Sequence, residues 1–437
     1  MKKLVCALSF TLVFSALVFS TGEQEKAEVE AGPEKLIVWC HSVHQEVAEG
    51  TRGGAKINVI GEFKKQFNVE LEWVTIPWDQ MQDKVLRELS IPTSDVDLVF
   101  VVQDWATPTT LGMLESLDPY MKRDPIGDFQ DVAPGMVATF TLNGELKAVP
   151  YRSNPQLLHY NKKIFSERGL TRAPQSFEEL AEFARKASYT RSDGAQVYGL
   201  GIKADEDIIA VVRAFGGEVL TKDFEVQCNK PKAVKAIEVL RELYNDGAIP
   251  PNFAQLASTE YQSLVAEGLI TMVFFGDNYH LRFNDPAKSK EGGNIWFSWI
   301  PASAQTGLSV APSKTAFWAV GIPSNSSPAK RNLGWQFIKF ATSKDSILKM
   351  ALNGNGPVRT SVFENPQYSS DVPYAEVDAK ILATASLHLP VFEGTTEVRD
   401  IFQEEATLAI LGKKGIQEAM DDAAAAIETV VAREGVR

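Results

Sequence analysis

The sequence predicts an α/β protein of two sheet-and-helix units. Three observations lead there. Short apolar runs alternate with segments of helical period, an order that implies a largely parallel sheet covered by helices. The alternation starts again near Gln156, after one complete set. The chain has 437 residues, 44% hydrophobic and 23% charged, which suits a globular protein of two or three domains.

In the first set, Leu36–Trp39 reads as a buried strand. Ile57, Ile60, Phe63 and Phe67 give Gly54–Phe67 a helical stripe. Val69–Ile76 alternates as a strand, and Met81, Val85 and Leu89 return Asp79–Leu89 to helical period. Val96–Val102 is a fully apolar strand. In the second set Leu157–Tyr160 and Leu269–Phe275 read as strands. Ser176 and Glu179 form a capping-box signal for Phe177–Ala187. Asn229-Lys230-Pro231 opens a helix over Ala233–Tyr244. Further helices are expected over Ala329–Ala341, Lys344–Leu352, Ala375–Ser386, Val398–Leu411 and Ile416–Val431.

Lys2 and Lys3 precede an apolar run from Leu4 to Phe19, with small residues at Ser20-Thr21-Gly22. This is the layout of a secretory signal peptide, residues 1–22, and the run is short for a membrane span. No cysteine sits just past the run, so a lipid anchor is not expected. Residues 23–33 read as a flexible charged tether. The net charge of −12, with a pI near 5.1, becomes −14 once Lys2 and Lys3 are removed. An acidic balance argues against nucleic acid or an anionic bilayer as partner. Cys40 and Cys228 read as two separate buried thiols.

The sequence lacks GxSxG, a P-loop, HExxH and CxxC. No catalytic residue, cofactor or metal site is expected. His41 and His44 have metal-ligand spacing, but no cysteine–carboxylate set accompanies them. Aromatic and polar residues instead gather after strand ends: Trp39, His41 and His44, then Trp78-Asp79, then Asp104-Trp105. Ligands of open α/β sheets bind beyond those ends. Aromatic faces beside Asp, Asn, Arg and His suit a carbohydrate, whose C–H face stacks while its hydroxyls take directional hydrogen bonds. Packing is the competing role for Trp39 and Trp78, and the favoured one for Trp73 and Trp335.

From Asn143 the chain resembles the family 1 extracellular solute-binding proteins, the maltose-binding-like receptors of ABC importers. The resemblance rests on Asn143-Gly144-Glu145-Leu146 through Tyr151, on Leu158-His159-Tyr160-Asn161-Lys162-Lys163-Ile164-Phe165, and on Pro174-Gln175-Ser176-Phe177-Glu178-Glu179-Leu180. It continues at Ala266-Glu267-Gly268 to Phe275-Gly276, at Leu333-Gly334-Trp335 to Ser343, and at Gly356-Pro357-Val358-Arg359. The resemblance implies a two-lobe periplasmic binding protein fold with a hinge and an interlobe ligand cleft. Lobe 1 would be 34–154 plus 318–366, and lobe 2 would be 155–317 plus 367–437.

It also implies where ligand is held. His41 and His44 belong to the loop after the first strand. Asp104, with Trp105 beside it, matches a frequent sugar-hydroxyl acceptor. Tyr151, Arg152 and Asn154 lie on the crossing strand. Asp277 and Tyr279 follow the Phe275-Gly276 strand, where relatives commonly place a stacking tryptophan. Trp299, Trp318 and Arg359 are weaker candidates, each with packing as the favoured alternative, and Trp78 joins the set from its strand-end position. The implied function is capture of a small solute, a sugar or oligosaccharide, by lobe closure and delivery to importer permease subunits, by a monomer outside the cytoplasm. The alternatives are an exported carbohydrate-active enzyme with a carboxylate pair and a sensor feeding a signalling receptor.

Overall fold

The computed structural model describes residues 34–437 apart from Asp205 and Ser386. The leader and tether read from the sequence lie outside these residues. Two five-stranded sheets form the framework. The first runs in the order Val69–Thr75, Glu34–Cys40, Leu98–Val102, Trp318–Gly321, Ala148–Arg152. The second runs Ile295–Ser298, Gln156–Asn161, Ile270–Gly276, Gln196–Gly201, Tyr189–Thr190.

Both sheets are mixed, which corrects the largely parallel expectation. Glu34–Cys40 pairs parallel with Val69–Thr75 and Leu98–Val102. Trp318–Gly321 then inserts antiparallel between Leu98–Val102 and Ala148–Arg152. In the second sheet Ile270–Gly276 is parallel to Gln196–Gly201 but antiparallel to Gln156–Asn161. The antiparallel partners are strands next to the points where the chain passes between lobes. Their direction depends on distant pairing, which hydrophobic period does not encode.

The all-apolar runs became the buried strands. Leu98–Val102 and Ile270–Gly276 are buried at every position. Ser176 caps its helix by accepting the Glu179 N–H at 3.2 Å. Glu179 reaches back to the Gln175 N–H and to Arg172, one residue short of a reciprocal box. A helix absent from the sequence reading spans Ser42–Glu49. His41 caps it through Nδ1, and Gly50 ends it at φ 72°. A Cβ on Gly50 would lie 2.6 Å from the Ile57 carbonyl oxygen, so the position demands glycine on two counts.

Each lobe has its own core. One cluster draws on Leu36 to Leu157 and on Trp318 to Ile381; the other draws on Leu158 to Ala311 and on Leu389 to Val431. The chain therefore crosses near 157, again before 318, and last between 381 and 389. That last crossing falls later than the expected 366. Tyr368, Val372, Tyr374 and Ile381 pack with the first core, because helices Pro366–Asp371 and Ala375–Leu382 turn their apolar residues toward it. Cys40 and Cys228 are free and buried, one in each core.

Two crossings lie side by side as a hinge. Gln156 N–H donates to the Lys314 carbonyl at 3.1 Å, and Ala316 N–H to the Asn154 carbonyl at 3.2 Å. Arg359 serves the framework and lines no part of the cleft described below. Its guanidinium donates to the carbonyls of Thr342, Asp128 and Gly127 at 2.8–3.2 Å and sits 3.7 Å from Asp131. Arg359→Met removes these hydrogen bonds and strands the buried Thr342 carbonyl. Urea unfolding should show a loss of about 3 kcal/mol; an unchanged midpoint would refute the anchoring role.

Candidate functional site

Strands Glu34–Cys40, Val69–Thr75, Leu98–Val102, Gln196–Gly201 and Ile270–Gly276 turn their carboxyl ends to one cleft. It holds two adjoining pockets, of about 90 Å³ and about 340 Å³, which share Trp78, Glu206 and Lys314 as walls. His41 follows strand Glu34–Cys40, and Trp78 begins the helix after strand Val69–Thr75. Asp104 lies in the turn after Leu98–Val102. From the other lobe, Glu206 follows Gln196–Gly201, and Asn278 and Tyr279 follow Ile270–Gly276. The hinge contributes Arg152, Asn154 and Gln156 from one crossing and Lys314 and Trp318 from the other.

An aromatic stack supports the lobe 1 wall. Trp78 meets Trp318 edge-on at 5.7 Å between centroids, Trp318 meets His44 at 4.6 Å, and His44 stacks on Phe100 at 4.3 Å. Trp318 is only 3% exposed, whereas Trp78 is half-buried and offers the freer face. The Lys314 ammonium sits 5.9 Å over the Trp78 ring and is ion-paired with Asp104.

A polar chain crosses between the lobes. Glu46 binds Arg52 at 2.7 Å, Arg52 donates to Asn278 Oδ1 at 2.5 Å, and Asn278 donates to Asn154 on the hinge. Gly276 leaves room for it, since a Cβ there would lie 2.2 Å from Asn154 Oδ1. Elsewhere Thr109 N–H donates to Glu393 at 2.8 Å and Gln82 to Thr396 at 3.3 Å, again joining the lobes.

The electrostatics are set by burial. Burial, then Arg152, Arg52 and Arg282, push the His41 imidazole down to about 3. His44 is held well below its ordinary value by burial and Arg152. Burial raises Asp277 to about 6 against the pull of Arg152, and raises the adjacent Asp378 well above the carboxylate range. Two buried acids in contact do not both ionise, so this pair shares a proton.

Of the residues singled out from the sequence, His41, Trp78, Arg152, Asn154, Tyr279 and Trp318 line the smaller pocket. Asp104 and Trp105 line the larger one, Trp105 mostly as core. His44 and Tyr151 line neither pocket. His44 is a helical core residue and not a loop residue, and Tyr151 is wholly buried with its hydroxyl on Met350 Sδ. Asp277 lies behind the wall, beside Asp378. Trp299 lines neither pocket; it packs on the first core under the Lys380 ammonium, 4.9 Å away. Gln156, Glu206, Asn278, Lys314 and Arg399 were missed. The strand-end rule applied to Gln196–Gly201 points to Glu206; Lys314 carried no signal in the sequence. Among the described residues no three His, Cys, Asp or Glu side chains come together as a metal site.

Residues 58–376 match the family described as bacterial extracellular solute-binding protein. The chain belongs to that family. This solute-binding protein is 24% identical over 382 residues to a binding protein of Brucella abortus, covering 85% of this chain and 89% of the relative. Its fold is that of maltose-bound MalE3 from T. maritima, with a TM-score of 0.76, 21% identity, and 90% and 99% of the two chains covered. A Thermotoga lettingae ABC transporter solute-binding protein bound with α-D-tagatose matches with a TM-score of 0.77, 21% identity, and 91% and 100% coverage. The two-lobe binding protein fold is thereby established.

All five histidines have pKa values lowered by burial. Each stays neutral in the fold below pH 6.5 while the unfolded chain takes up a proton, so each removes stability as pH falls. Asp207, Asp277 and Asp378, raised by burial, act in the opposite sense below about pH 7. The histidines outnumber them. Unfolding free energy should fall from pH 6.5 to pH 4.5, by about 1.4 kcal/mol per pH unit for each net proton. Urea titrations at stepped pH check this; a flat or rising profile contradicts it.

Proposed function

We propose that this solute-binding protein captures a small carbohydrate between its lobes and presents the closed form to an ABC importer permease, without transforming the ligand. The observation that carries the reading is the cleft itself. A half-buried Trp78 face stands beside Asp104, Arg152, Asn154 and Gln156, with both lobes and the hinge contributing to one wall. Maltose and α-D-tagatose, the ligands of the two similar structures, support the substrate class. The leader at 1–22, the tether at 23–33 and a monomeric state belong to the same proposal.

Closure follows from differential affinity. A solute touching only one lobe binds the open and closed forms alike and shifts nothing. One that touches Trp78 or Asp104 on the first lobe and Asn278 or Tyr279 on the second stabilises the closed form by all of the second set of contacts. The polar chain from Glu46 through Arg52 and Asn278 to Asn154 then fixes the lobe register around it.

Thermal unfolding across a panel of sugars, polyols, peptides, amines and metals tests the class. At least one sugar or polyol should raise the melting temperature, with about 2.7 kcal/mol of stabilisation at a hundredfold excess over Kd. A shift with a peptide, amine or metal and none with any carbohydrate would refute the reading. Trp78→Ala should weaken the responding sugar about tenfold in titrations run where the variant is still folded. Unaltered affinity would remove Trp78 from the site.

A further inference from the structure

One charge in the cleft has no direct partner among the described residues. Arg152 ends the crossing strand Ala148–Arg152, is 3% exposed, and lines the smaller pocket. Its Nε and Nη1 are enclosed and have no hydrogen-bond partner. Among the described residues, no carboxylate oxygen lies within the 4.0 Å of an ion pair with it. A guanidinium presents five N–H donors in a planar fork and accepts nothing. Buried without an acceptor, it is an unfavourable arrangement unless something else supplies one.

Among the described residues, no surrounding acid pairs with it directly. Asp277 is the acid that acts on it most strongly, but only through space, and that carboxyl accepts the Asn278 N–H at 2.6 Å and lies against Asp378. Arg52 and Arg282 add positive charge around His41, which is itself neutral. Lys314 is held by Asp104. Glu206 is the sole carboxylate in the wall of the smaller pocket, among the described residues. Acids gather instead around the larger pocket, at Asp79, Asp83, Asp104 and Asp400. The cleft thus has a cationic end at Arg152 and a hydroxyl-accepting end beyond Trp78.

We propose that the solute is a sugar acid, an aldonate or uronate, whose carboxylate takes the Arg152 fork while its hydroxyls run past Trp78 toward Asp104. A carboxylate offers two coplanar acceptors and a charge that match the fork; a neutral polyol offers single acceptors and no charge. The inference rests on the carbohydrate reading above and narrows it.

Calorimetric titration of the whole protein with matched pairs tests it: D-gluconate against D-glucitol, D-galactonate against galactitol, D-glucuronate against D-glucose, and D-galacturonate against D-galactose. In whichever pair responds, the acid should bind at least about tenfold tighter than its neutral partner. Arg152→Gln should erase that preference, and Arg152→Lys should retain part of it. Solute-free Arg152→Gln should melt no lower than the parent, because it removes an unpaired buried charge; a large drop would make Arg152 structural and overturn the assignment. A neutral partner binding as tightly as the acid, a sugar phosphate outcompeting both, or an acid preference that survives Arg152→Gln overturns the sugar-acid proposal and leaves the carbohydrate reading standing. Failure of every acid, sugar and polyol overturns both. An Arg152→Gln chain that does not fold is the extreme of that drop in melting and overturns the assignment likewise.

Discussion

Two extended segments, 152–156 and 314–318, hydrogen-bond to each other between the lobes, and the site depends on them. Because they run side by side, the two sheets turn their strand ends toward a common cleft. Their own side chains then face it from the middle: Arg152, Asn154 and Gln156 on one, Lys314 and Trp318 on the other. Backbone pairing satisfies the main-chain groups there, which leaves the side chains available for a solute. The interlobe chain through Arg52, Asn278 and Asn154 ends on the same segment, so hinge geometry and ligand geometry are set together.

Much of this was legible from local pattern. Apolar runs such as Leu98–Val102 and Ile270–Gly276 are strands because they are buried on both faces, and that leaves a continuous hydrophobic signature. The amphipathic helices appeared at their expected places to within a few residues. Trp78 and Asp104, singled out by combining strand ends with the crevice rule, and Arg152 and Asn154, singled out through the family resemblance, lie in the walls of the cleft. What escaped depends on distant partners. Strand direction in both sheets, and the last crossing after Ile381, are set by pairing and packing between segments far apart in sequence. The short helix Ser42–Glu49 is begun by a histidine cap, which is not among the favoured capping residues.

The same distance from local pattern explains the site residues that were misplaced. His44, Tyr151 and Arg359 are polar or amphipathic, and a sequence gives such residues a functional look. In the fold His44 and Tyr151 close the aromatic stack under Trp318, and Arg359 ties two segments, at 127–128 and at 342, by their carbonyls. Arg152 differs from Arg359 in the respect that matters. Both are buried guanidiniums, but among the described residues Arg359 is met by backbone oxygens and Arg152 by none. A met buried donor is explained by the fold, while an unmet one at the centre of a cleft calls for an acceptor from elsewhere.

The central claim is that one solute touches both lobes and the hinge at once. A crystal structure of the protein with the solute it retains through purification, or with the tightest binder found in titration, tests this most directly. The account predicts density between Trp78 and Arg152, with polar contacts to at least one of Asn278 and Tyr279 on the opposite lobe. Solute held on a single lobe, or outside the space bounded by Trp78, Lys314 and Arg152, would contradict it.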